Sequence, residues 1–271
     1  REVAADPAGG IWIGTTSGDL AHYRDGQLAT ISFAHVSPEI TERHVDDLIV
    51  QADGTVMGAT GYGLIETQHG QRRALVRSNG LPCDRVWAMQ FDTADDLWLS
   101  LECGFVRIAK SELAAWRQDP SRRVALRWFD ALDGATPTRA PFMGESAMST
   151  DGRLWFPSLN GTHMIDPSRL KAPAVAPPVH IEWILADRKQ YSLRSPPVFP
   201  ALTRDIEIDY TAPSLALPQK LTFRYRLDGY EERWQEVGAR RQAFYNDLAP
   251  GQYTFHVTAC NQDGACNERG A

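Results

Sequence analysis

Residues 93–104 read Thr-Ala-Asp-Asp-Leu-Trp-Leu-Ser-Leu-Glu-Cys-Gly, an acidic turn, an apolar run centred on Trp98, and a glycine six positions after that Trp. The same order recurs. Ile11-Trp12-Ile13 leads to Gly18, and Leu154-Trp155-Phe156 leads to Gly161, again six positions beyond the Trp. A fourth copy has no Trp: Thr55-Val56-Met57 leads to Gly63, which counts one extra residue if Val56 stands in the Trp position. Each run follows a turn, namely Asp6-Pro7-Ala8-Gly9-Gly10, Ala52-Asp53-Gly54, Asp95-Asp96 and Asp151-Gly152-Arg153. Another apolar segment precedes each turn, such as 45–50 or 86–91, and a further strand-like run follows the glycine, such as Phe105-Val106-Arg107-Ile108.

This is the chemistry of a β-meander. A short apolar triplet suits a strand covered on both faces. Asp and Gly supply the tight connection before it. The later Gly suits a second turn, where positive φ or the lack of a side chain is useful. Repeats of about 40–50 residues with several strands each are the signature of propeller blades. The sequence therefore predicts about four blades, with Trp12, Trp98 and Trp155 as inter-blade core. An aromatic at one recurring strand position is first a packing residue and only second a sugar-stacking one. Residues 110–119 form a polar insertion with helical character before the last copy.

Composition agrees. The chain has 271 residues, 43 % hydrophobic and 23 % charged, enough to bury a core. Its 21 Gly and 17 Pro favour short elements joined by turns. A net charge of −6 opposes a nucleic-acid-binding surface. No apolar run approaches the ~18 residues of a membrane-spanning helix. The chain opens at Arg1 with no apolar leader, and is expected to be a piece of a longer protein. The seven His share no spacing, and no Cys-x-x-Cys or zinc-spaced His pair occurs, so no catalytic residue, metal site or cofactor is predicted. Four cysteines are present: Cys83, Cys103, Cys260 and Cys266. Cys260 and Cys266 flank a turn and can form a disulfide if their strands are adjacent, or remain two thiols.

The stretches around Trp12 and Trp98, with Asn79-Gly80-Leu81-Pro82 opening a blade, resemble two-component regulator propeller repeats. The resemblance covers residues 1 to about 172, and departs from the pattern at Val56 and in the insertion. It implies the extracytoplasmic sensor of a bacterial hybrid histidine kinase or a related diguanylate cyclase. Such propellers close at about seven blades, so a partial ring is expected, with an apolar flank near Ile11 and Ile13.

The pattern changes after a Pro/Ala linker at 173–178. Alternating strands follow at 179–184, 205–210, 221–227 and 252–259, separated by turns at Asp228-Gly229, 249–251 and Asp263-Gly264. This predicts an immunoglobulin-like β-sandwich over 179–271. Tyr225, Leu227, Gly229, Trp234, Tyr245, Leu248, Pro250, Gly251, Tyr253, Ala259, Asn261 and Gly264 resemble the Y_Y_Y domain, in which Cys266 replaces a usual Trp. Tyr245 is expected to anchor the corner before Leu248-Ala249-Pro250-Gly251 through its hydroxyl. The family continues with another strand and a membrane helix, so an edge strand is expected to be missing here.

The paired resemblance implies a periplasmic, non-enzymatic sensing region, tethered to the membrane beyond its C-terminus and working as a homodimer. Its signal is a small molecule or glycan. Loops such as Thr60-Gly61-Tyr62-Gly63 or 139–145 are the places where a ligand would meet the propeller face. A carbohydrate-active propeller enzyme and an adhesion or scaffold module are the competing readings. An enzyme would need convergent carboxylates or a His/Tyr pair, and most acidic residues lie in repeat turns.

Overall fold

A computed structural model describes residues 2–33, 44–138, 146–170, 175–214, 218–261 and 265–271. The chain divides into two compact units, Arg1–Lys171 and Ala172–Ala271. The expected linker at 173–178 falls partly outside the described residues, as do the loop 139–145 and the turn at Asp263-Gly264.

The first unit is a run of antiparallel meanders. The first blade is β1 (Val3–Ala5), β2 (Ile11–Gly14), β3 (Leu20–Arg24) and β4 (Gln27–Ile31). The second is β5 (Val45–Val50), β6 (Val56–Thr60), β7 (Gly63–Gln68) and β8 (Gln71–Leu75). The third is β9 (Val86–Phe91), β10 (Leu97–Leu101), β11 (Gly104–Ile108) and β12 (Leu126–Phe129). The fourth has three strands among the described residues: β13 (Ala147–Met148), β14 (Leu154–Ser158) and β15 (Gly161–Ile165).

One turn is used four times. Asp6, Gln51, Asp92 and Ser149 each receive, at their carbonyl, the N–H three residues on, and each donates its own N–H to the carbonyl four residues on. The residue three on is Gly9, Gly54, Asp95 or Gly152, all at positive φ (102°, 82°, 60° and 81°). That conformation is open to Gly and tolerated by Asp, which explains the turn composition. Six residues beyond each turn start lie Trp12, Met57, Trp98 and Trp155.

The second copy must therefore be read differently from the sequence expectation. Met57, not Val56, occupies the Trp position. Met57 pairs with Glu66 as Trp98 pairs with Arg107 and Trp155 with Met164. Counting from Met57, Gly63 again lies six residues on, so no residue is extra.

Successive side chains on a strand point to opposite faces, and the second and third blades pack both faces. Val56 joins Leu20, Phe33, Ile65 and the partly buried Trp12 between the first two blades. Met57 joins Leu97, Leu99 and Val106 between the second and third. Trp98 joins Leu154 and Phe156 between the third and fourth. The Trp position thus faces the next blade along the chain. Trp98 is fully buried, and its indole N–H also donates to Asp92 Oδ2 at 2.9 Å. Trp155 is a correction to the expectation: it is 38 % exposed and does not belong to an inter-blade core. Its neighbours Leu154 and Phe156 point back to the third blade, and Trp155 points the other way, where the described residues of the first unit place no further sheet. Its indole N–H still reaches the turn, at Ser149 Oγ (3.0 Å).

The insertion is helix α1 (Lys110–Gln118), between β11 and β12, and its polarity is one-sided. Leu113 and Trp116 are buried in the core between the second and third blades. Arg117 reaches across to the second blade. Its Nη2 and Nε lie 2.7 and 2.8 Å from Glu66 Oε2, and Arg73 Nη1 lies 3.3 Å from Glu66 Oε1. Glu66 is wholly buried, so two guanidiniums compensate a charge that burial alone would make very costly. Cys83 and Cys103 form a disulfide in this blade, tying the segment before β9 to the β10–β11 turn. In the chain-entropy account, a loop of this length stabilises by about 3 kcal/mol.

The second unit is a two-sheet sandwich. One sheet has the order β17 (Lys189–Tyr191), β16 (His180–Ala186), β18 (Asp205–Thr211) and β21 (Gln242–Asn246). The other is β20 (Gln235–Gly238), β19 (Thr222–Asp228) and β22 (Thr254–Cys260). Ile208, Tyr210, Phe223, Tyr225, Leu227, Tyr245 and Val257 fill the space between them. An edge is occupied where the sequence reading left it open. Ala271 and Val257 exchange both backbone hydrogen bonds, and Asn267 N–H donates to the Ala259 carbonyl, so the last residues run along β22.

Candidate ligand site

A shallow depression lies on the fourth blade. The β14–β15 hairpin turns through Leu159 and Asn160, and residues 136–138 run beside it. Thr138 locks the two together. Its N–H donates to Ser158 Oγ (3.1 Å), its hydroxyl lies 2.6 Å from the same oxygen, and Leu159 N–H donates to Thr138 Oγ1 (3.0 Å). Thr136, Thr138, Ser158, Asn160, Gly161, Thr162 and His163 line a depression of about 180 Å³. His163 is steadied from below by Phe105, edge to face at 5.4 Å.

The lining is hydroxyls, an amide and an imidazole, with no carboxylate. Such groups donate and accept hydrogen bonds without carrying fixed charge. The volume is below the ~300–1,000 Å³ of drug-sized pockets, so it suits one ring of a polar ligand rather than a whole oligomer. Among the described residues no three His, Cys, Asp or Glu side chains come together as a metal-binding group. No sequence signal singled out this place, because its residues come from two segments about twenty positions apart and each is an ordinary loop residue. The loop Thr60-Gly61-Tyr62-Gly63 is instead a buried hairpin. Thr60 Oγ1 donates to the Gly63 carbonyl at 2.8 Å, and Tyr62 is 3 % exposed.

The singled-out aromatics take distinct roles. Trp12 stacks on His22 at 4.5 Å, and His22 Nε2 lies 2.8 Å from Asp6 Oδ2 in the turn below. Tyr225 sits between the sheets and accepts a hydrogen bond from Arg240 Nη2 at 2.8 Å. Burial pushes its phenol above the usual range. Tyr245 donates to Glu231 Oε2 at 3.3 Å, a carboxylate oxygen that also caps the Leu227 N–H at 2.7 Å. The corner before β22 is held by Tyr253, whose hydroxyl donates to the Ala249 carbonyl at 2.7 Å. That bond was expected of Tyr245, which is aimed across the sandwich instead. Trp234 lies beneath two guanidiniums, Arg224 at 5.1 Å and Arg226 at 5.3 Å from its ring. Cys260 and Cys266 form a disulfide and face each other as an isolated antiparallel bridge.

A family match over residues 214–269 covers β19 to β22, with Tyr225, Tyr245 and the Cys260–Cys266 turn. The matching family model is the Y_Y_Y domain. A comparison with curated proteins finds no match. Among solved structures, the chain is similar to the extracellular domain of BT3049 from B. thetaiotaomicron, assigned as a hybrid two component system. Identity is 20 %, the TM-score is 0.76, and the match covers 99 % of this chain and 36 % of that one. The extracellular domain of BT4673 from the same organism matches at 14 % identity and a TM-score of 0.44, over 100 % of this chain and 36 % of that one. A virginiamycin B lyase from Staphylococcus aureus matches at 12 % identity and a TM-score of 0.39, over 97 % and 92 %. Of these three, the likeness to BT3049 shows a shared fold. The chain spans about a third of that relative's length. The blades and the sandwich of this chain thus share the fold of that extracellular domain. Two disulfides fit an oxidising compartment outside the cytoplasm.

Proposed function

We propose that this chain is the sensing region of a bacterial transmembrane two-component sensor, located in the periplasm. The observation that carries this reading is the order of parts: a meander array of propeller blades, then the Y_Y_Y domain of residues 214–269. The chain is the non-enzymatic input. The output is a histidine kinase, with a diguanylate cyclase as the variant of the same plan, beyond a membrane tether that follows the sandwich.

The ligand is a glycan fragment. The hydroxyl-rich depression around Ser158, Asn160 and His163, which has no carboxylate in its lining, supports a polyhydroxylated ligand over a cation. Ligand binding must favour one arrangement of a homodimer by differential affinity, and the sandwich relays that preference towards the membrane. A thermal-shift screen of the full ectodomain against oligosaccharides tests this. A glycan should raise the melting temperature, and Asn160→Ala should remove that shift while leaving the unliganded melt in place. A flat response to every glycan, with a shift for another chemical class, overturns the glycan assignment.

A further inference from the structure

The outward face of the four-stranded sandwich sheet carries an unusual group. Ile206, Ile208 and Tyr210 of β18 point into the sandwich, so Glu207 and Asp209 point out. Both carboxylates are held by one neutral donor. Gln242 Nε2 lies 2.8 Å from Glu207 Oε1 and 2.9 Å from Asp209 Oδ1. Neither carboxylate has an ion pair among the described residues. Arg241, just before β21, is engaged elsewhere, with Thr211 Oγ1 and the Pro218 carbonyl.

Asp209 is the decisive residue. It is 7 % exposed, and its Oδ2 is buried with no hydrogen-bond partner among the described residues. A carboxylate oxygen can only accept. Left without a donor it costs about 1–3 kcal/mol or more. Burial and the charge of Asp209 also raise the Glu207 carboxyl above its ordinary value, so the pair is already strained by mutual repulsion. Two aromatic side chains stand beside the pair on neighbouring strands. Trp183 is directly across from Asp209 and 40 % exposed, and Phe244 is directly across from Glu207 and 53 % exposed.

We propose that this face is a binding site for a guanidinium cation, held by Glu207 and Asp209 and stacked on Trp183. Two carboxylates call for a cation. An exposed indole beside them calls for a planar one, because a guanidinium stacks on an aromatic face and offers several donors in a fixed fork. An ammonium would neutralise the charge without using the ring in the same way, and a sugar would leave both charges uncompensated. The site lies wholly within the sandwich and is independent of the glycan depression on the fourth blade.

The test uses the whole chain and two probes, N-acetyl-arginine amide and its neutral isostere N-acetyl-citrulline amide, titrated calorimetrically. The arginine probe should bind, and the citrulline probe should bind about tenfold more weakly or not at all. Glu207→Gln keeps the side-chain shape and should weaken arginine binding about tenfold. Trp183→Leu, at an exposed position, should do the same by removing the stacking surface, and serves if Glu207→Gln fails to fold. The proposal is overturned if the arginine probe gives no binding, if citrulline binds equally, or if binding survives the substitutions. Oligosaccharide binding at this face in preference to the arginine probe overturns it as well.

Discussion

Gly104 and Gly161 open the third strand of successive blades, at φ 141° and 145°. Their backbones are alike and their surroundings are not. A Cβ on Gly104 would press into the carbonyl oxygen of Phe129 and lie 2.9 Å from the Trp128 indole nitrogen. A Cβ on Gly161 would meet nothing within 4 Å. Alanine at either site incurs the conformational cost of positive φ, about 1–2 kcal/mol. Only Gly104→Ala also forces β12 away from β11, and a shift of packed backbone adds about 1–3 kcal/mol. The difference between the two variants should be about 2 kcal/mol. For a unit of this size that is about 4–8 °C in melting temperature. Scanning calorimetry of the whole chain should show Gly104→Ala melting lower than Gly161→Ala by that margin. Equal shifts for the two would refute the claim that the fourth strand's carbonyl, rather than φ alone, demands glycine in these hairpins.

Two further outcomes follow from buried groups. Glu66→Gln removes the charge that holds Arg73 and Arg117 and should cost about 3 kcal/mol, read by denaturant unfolding; a loss below about 1 kcal/mol would show that the clamp is dispensable. Burial, reinforced by Glu231, raises the Tyr245 phenol above its ordinary value of 10.0, so the folded chain holds that proton more tightly than the unfolded chain. Stability contributed by the neutral phenol is complete below pH 10 and declines above it, by about 1.4 kcal/mol per pH unit for one such group. Tyr245→Phe should flatten the decline by that amount in urea unfolding at rising pH, and an unchanged slope would contradict the assignment.

Much of the architecture is legible in local chemistry. The Asp/Gly turns, the apolar triplets and the glycine six positions on are short-range signals, and the structure uses each in one repeated turn. The register of the second blade is ambiguous in the sequence because Val56 and Met57 are both apolar. Side-chain type cannot say which of two neighbours faces forward, whereas the turn hydrogen bonds from Gln51 can. Trp155 shows the reverse limit. Its sequence position matches Trp98, but burial depends on whether another sheet lies beyond it. The Cys83–Cys103 bond and the Glu66–Arg117 clamp join segments 20 and 51 residues apart, and no periodicity announces either. The exchange between Tyr245 and Tyr253 has the same origin, since a hydroxyl's partner is chosen by the packing of two sheets.

The packing of Trp98, Met57 and Trp12 against successive blades makes the first unit a row of seams of unequal strength. The seam between the second and third blades is reinforced by α1, by the buried Glu66 and by the disulfide within the third blade. The outer seams have none of these. In a linear array, stability is a sum of modules and nearest-neighbour interfaces, and loss begins where the interface is weakest. Heat or denaturant should therefore peel this unit from its ends inward, leaving β6, β7 and β10 as the last amides to exchange.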